Sequence, residues 1–107
     1  MSRFEITVAE VAERMRSGQP PQLLDVRRYD EHENVRIEPS THIPLDELTD
    51  RLDELDPKTE YVVYCHHGVR SLSGAAILEA AGFANPLSLS GGIDAWSLRV
   101  DSGLPRY

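Results

Sequence analysis

Short apolar runs alternate along this chain with stretches whose apolar residues recur every three or four positions. "QLLDV" at 22–26, "YVVY" at 61–64 and "LSL" at 87–89 are too short for helices and rich in Leu, Val and Tyr. They predict buried strands. Between them the spacing turns helical. "TVAE" at 7–10 fits a capping box, Thr7 as N-cap and Glu10 reaching back, and Val8, Val11, Ala12 and Met15 share one face. Gly18 and Pro20-Pro21 stop that helix. Pro44 precedes Leu45, Leu48, Leu52 and Leu55, which predict an amphipathic helix closed by Asp56-Pro57. "SLSGAAILEAAGF" predicts a helix ending at Gly82, its small residues suited to lying close on a sheet. "GGIDAW" opens a last helix, residues 27–42 read as a polar loop with one helical turn, and the tail to Tyr107 reads as loose.

Strands and helices that alternate need crossover connections, and these give a parallel sheet covered on both faces. The expected fold is therefore α/β, a central parallel sheet of four or five strands. No repeat or Gly/Ser linker divides the 107 residues, which are read as one domain, 1–107. Ligands of such sheets bind beyond the carboxyl ends of the strands. Cys65 stands there for "YVVY", and Asp25 near there for "LLDV".

Charge narrows the partners. The formal net charge is −7, from 18 acidic against 11 basic side chains, and only Lys58 is a lysine. Nucleic-acid binding, which needs clustered Lys and Arg, is not expected. No apolar run approaches the roughly 18 residues of a membrane span, and "MSRFEITVAEVAERM" lacks a signal peptide's apolar stretch. One cysteine forms no internal disulfide, which fits a reducing cytoplasm.

That cysteine lies in "YVVYCHHGVRS". A cysteine after a buried strand is ordinarily a small core residue. The residues that follow argue otherwise. A helix start offers free N–H groups and partial positive charge that stabilise a thiolate. Gly68 permits the positive φ that turns several N–H groups inward. Arg70 adds a permanent charge with a fork suited to sulfonate, sulfate or phosphate oxygens, and Ser71 is placed to cap the helix. A nucleophile in an anion cradle is the better reading. Zinc at Cys65, His66 and His67 is not expected, because consecutive side chains generally diverge and zinc motifs space their ligands. No metal or cofactor is predicted.

With these residues in view, the chain resembles the rhodanese-like sulfurtransferases. "LLDVRRYDEHE", "IPLDEL", "YVVYCHHGVRS" and "AAGFANPLSLSGGIDAW" are similar to that family's successive signatures, in order and over almost the whole chain. The resemblance implies that Cys65 takes a sulfane sulfur from thiosulfate or a persulfide donor, becomes a persulfide, and passes the sulfur to a thiol, a protein or cyanide. It implies that the backbone of His66, His67, Gly68, Val69 and Arg70 holds the persulfide, that Arg70 binds the donor's oxygens, and that Asp25, Arg27 and Ser71 lie beside the loop. Val35 and Pro39 stand where relatives often carry glycine, and Gly91, Gly92 and Trp96 read as fold residues. Alternatives are a persulfide relay or a non-catalytic binding module serving a partner protein. A Cys-based phosphatase is less favoured, because such loops place Arg six positions after Cys and Arg70 is five after Cys65. Oligomeric state is left open.

Overall fold

The computed structural model describes residues 4–107. The first three residues, part of the stretch read as lacking a signal peptide, lie outside it. Five strands form one sheet in the order β1-β5-β4-β2-β3, and every neighbouring pair is parallel. They are β1 (Glu5–Ile6), β2 (Gln22–Asp25), β3 (Thr41–His42), β4 (Tyr61–Tyr64) and β5 (Leu87–Leu89). The helices are α1 (Val8–Arg16), α2 (Tyr29–Asn34), α3 (Leu45–Leu48), α4 (Arg70–Ala80) and α5 (Gly92–Arg99).

The pleat sorts the strand residues into two cores. Leu23, Val62, Tyr64 and Leu89 face a cluster built with Val8, Val11, Ile93 and Trp96 of α1 and α5. Leu24, Val63 and Cys65 face the other, built with Leu48 of α3 and Ala75 and Leu78 of α4. Apolar runs buried on both faces are what a covered parallel sheet requires. The capping box at Thr7 and Glu10 forms as its sequence predicts. The small residues of α4 also serve the expected purpose. A Cβ at Gly74 would come within 2.9 Å of Val63 Cγ1, so the helix lies directly on β4.

Four local expectations are corrected. The stretch from Leu45 to Leu55 is not one helix. After α3 a 3-10 segment runs over Thr49–Glu54 with a kink at Arg51, since leucines spaced three and four apart also suit a tighter winding. The polar segment 27–42 contains a regular helix, α2, and the edge strand β3. Val35, read by its position as a loop residue, fills the first core and its carbonyl accepts from Arg27. The tail is not loose, because Tyr107 returns to the carboxyl end of the sheet and stacks on His66. Among the described residues no helix is long and apolar enough to cross a membrane.

In the register of the sheet Asp25 stands level with Tyr64, so the turns after β2 and β4 lie side by side. Valine at Gly74 would wedge α4 away from this layer. Gly74→Val is expected to lower the unfolding free energy by about 2 kcal/mol, read as a fall in the urea midpoint with an unchanged slope.

Candidate active site

Residues 65–69 join β4 to α4, and the loop closes around the cysteine sulfur. Gly68 N–H donates to Cys65 Sγ at 3.2 Å and Ser71 N–H at 3.4 Å, while the thiol lies 3.4 Å from Ser71 Oγ. Gly68 has φ +97°, the positive value expected of it, and turns its amide inward. Cys65 is 1% exposed and packs against the second core. Its polar shell separates it from an ordinary core cysteine: two amides and a hydroxyl converge on one sulfur.

The outer side of the loop explains why the amides point inward. The first turn of α5 donates from Ile93 N to Cys65 O at 2.9 Å and from Asp94 N to His66 O at 3.1 Å. Both loop carbonyls are thus turned outward onto a helix N-terminus. Only glycine permits the approach. A Cβ at Gly92, which has φ +59°, would lie 2.4 Å from Cys65 O and 2.5 Å from His66 O.

One expected role changes. Ser71 does not cap α4: it is the second residue of the helix, and its hydroxyl lies 2.7 Å from Ser88 Oγ, buried beneath the loop. Val69 occupies the N-cap position with its side chain 75% exposed.

Arg70 stands at the start of α4, partly exposed, and is already engaged. Its two terminal nitrogens donate to Glu31 at 2.8 and 3.0 Å, a bidentate pair that leaves three of its five N–H donors. Glu31, in α2, also accepts from Tyr107 Oη at 2.8 Å and from Arg28 N at 3.1 Å. Burial pushes its carboxyl up, but the hydrogen bonds from Arg70 and Tyr107 prevail and hold it at about 2. Burial and the Glu31 carboxylate push the Tyr107 phenol up to about 12 against the pull of Arg27. His66 is sandwiched between Tyr107 and His67, each ring centroid 3.9 Å away. Burial, aided by the charge of His67, moves its imidazole below the usual range.

Asp25 and Arg27, expected to lie beside the loop, form a buried ion pair. Both are fully buried and paired at 2.9 and 2.7 Å. Arg27 also donates to the carbonyls of Glu31 and Val35 and to Tyr107 Oη, and Asp25 takes a further contact from His32 Nδ1 at 2.8 Å. Burial would raise the Asp25 carboxyl, yet Arg27 and His32 together hold it below the ordinary range. With every bond satisfied, the pair ties the turn after β2 to α2 and to Tyr107. Sequence reasoning missed Glu31, Asp94 and Tyr107 as site residues. Glu31 was within reach, in the acidic turn of "YDEHE", whereas nothing local marks Tyr107, 76 positions away.

Residues 7–99 match the rhodanese-like domain family. The chain belongs to the rhodanese-like family. Within it, the thiosulfate sulfurtransferase GlpE of Pseudomonas syringae pv. syringae is 34% identical over 96 residues, covering 90% of each protein. A Zea mays adenylyltransferase and sulfurtransferase, MOCS3-2, is 34% identical over 109 residues. That match covers 95% of this chain and 23% of the maize protein, so the chain spans under a quarter of that relative's length. The crystal structure of a rhodanese-like domain protein from Staphylococcus aureus superposes with a TM-score of 0.83 at 31% identity, covering 96% of this chain and 97% of that one. Its fold is the rhodanese fold.

Removing one partner of the buried pair strands the other's charge. Asp25→Ala is expected to destabilise the rhodanese domain by about 3–5 kcal/mol, measured by urea unfolding, and to do so with or without a sulfur donor present.

Proposed function

We propose that this rhodanese-like chain is a sulfurtransferase that carries sulfane sulfur on Cys65. The observation that supports this best is the convergence of the Gly68 and Ser71 amides on Sγ at 3.2 and 3.4 Å. Donors fixed in place around a sulfur stabilise its anion without reorganising during reaction. In the first step the Cys65 thiolate attacks the outer sulfur of thiosulfate. A Cys–S bond forms, the donor's S–S bond breaks, and sulfite leaves with the bonding pair. In the second step an acceptor thiolate or cyanide attacks the outer sulfur of the persulfide and restores the Cys65 thiolate. No second cysteine exists to release the sulfur as an internal disulfide, so the acceptor comes from outside.

Thiosulfate is a dianion, and Arg70 is the cation nearest the loop. Glu31 offsets part of its charge and holds its fork in one orientation, leaving N–H donors for the sulfonate oxygens. The sulfur lies at the floor of the loop with 1% of Cys65 exposed. A shallow cavity lies beside Arg70. Its volume is about 390 Å³, with Val26, Pro44 and Leu45 as an apolar wall and Arg28 at its edge. The acceptor is a small thiol or a thiol-bearing protein, and a reducing cytoplasm suits a persulfide carrier. No nucleic acid or membrane takes part in this reading.

Incubation with thiosulfate is expected to add one sulfur atom by intact mass, and Cys65→Ser to abolish the gain. An unchanged mass for the unsubstituted protein would remove the proposal. Arg70→Ala is expected to cut transfer from thiosulfate by about 10- to 100-fold, the worth of a charge-assisted hydrogen bond. It should cut transfer from an uncharged persulfide donor much less. Equal losses with both donors would rule out the sulfonate role.

A further inference from the structure

A second constellation of side chains lies outside the amide cradle around the sulfur. His66, His67 and Asp94 each present one ligand atom, and the three atoms lie within 4.8 Å of one another. Adjacent side chains usually diverge, but these two imidazoles stack at 3.9 Å with their planes 25° apart. Asp94 is brought in by the fold. It sits in the first turn of α5, its own N–H bonded to the His66 carbonyl, and its Oδ2 lies 3.7 Å from His67 Nε2. A separate observation points to a ligand. Among the described residues, His66 Nε2 is the one buried side-chain nitrogen or oxygen that lacks a hydrogen-bond partner. Buried polar atoms are rarely left so.

A second group, Asp25, His32 and His42, has comparable spacing. It is a poor host for a cation. The Asp25 carboxylate is already filled by the buried Arg27 guanidinium, and His42 Nε2 is taken by the Arg27 carbonyl. Asp94 also accepts from Arg106 at both oxygens, at 2.8 and 3.3 Å, a pair that an ion must displace. The Arg106 side chain, however, is 57% exposed, whereas Arg27 is fully buried.

We propose that His66, His67 and Asp94 form a binding site for a borderline divalent transition metal such as Zn²⁺. Two imidazoles and a carboxylate are a zinc donor set, and three protein ligands leave a coordination position open to water. Mg²⁺ and Ca²⁺, which take oxygen ligands, do not match it. Zinc bonds of about 2.0–2.1 Å require the three atoms to draw closer than they stand here. His67, 63% exposed, has the freedom to supply that movement and leaves an entry path from solvent. An ion held there would clamp the residue that follows Cys65. This site goes beyond the sulfur-transfer reading and stands whether or not Cys65 carries sulfur.

The test uses the full chain without a histidine tag and carrying Cys65→Ser, so that no thiolate supplies a ligand. Titration calorimetry with Zn²⁺ is expected to give one equivalent bound. Adding His67→Ala, at an exposed position that does not threaten folding, should weaken binding by at least about tenfold. Asp94→Asn should also weaken it, and His42→Ala should leave it unchanged. Absence of Zn²⁺ uptake by the Cys65→Ser protein would overturn the proposal. So would unaltered affinity in the His67→Ala variant, or binding that disappears only with His42.

Discussion

The structure of the loop depends on what happens to two carbonyl groups. Main-chain amides can surround a sulfur only if the carbonyls of the same peptides find partners elsewhere, because a buried polar group left unpaired is costly. Here the first turn of α5 takes both, through Ile93 and Asp94. Gly92 makes the contact sterically feasible. The geometry at Cys65 is therefore set partly by residues 27 to 29 positions further along. The helix that opens at Gly92 acts as a template for the loop it abuts.

A second constraint works from the other side. Asp25, Arg27, Glu31, Arg70 and Tyr107 form a continuous polar network at the carboxyl end of the sheet. Its charges alternate in sign, and each buried member is bonded to more than one partner. Such networks rigidify when fully satisfied and are vulnerable to the loss of any member. Arg70 thereby acquires a fixed orientation through a carboxylate 39 positions earlier in the chain.

The sequence made the layout legible because parallel sheets advertise themselves. β2, β4 and β5 are apolar runs, α1 carries its own capping signal, and the spacing of glycine and arginine after Cys65 marks a cradle. What escaped has a common cause. β1 and β3 are two residues long, too brief for any period to register. The paired status of Arg70, the burial of Arg27 and the docking of Tyr107 are long-range contacts, which no local pattern encodes. The convergence of His66 with His67 runs against the usual divergence of neighbours. Tyr107 stacks on the far side of His66, a contact equally invisible to local pattern.

The short outer strands have an effect on how the molecule meets its own kind. A sheet exposes unsatisfied backbone groups only along its two margins, and those margins invite pairing with other chains in proportion to their length. Here each margin, Glu5–Ile6 on one side and Thr41–His42 on the other, offers a template of two residues. The longer, more apolar strands, β2, β4 and β5, are all interior. The strand order thus leaves little edge backbone for strand-to-strand pairing between molecules.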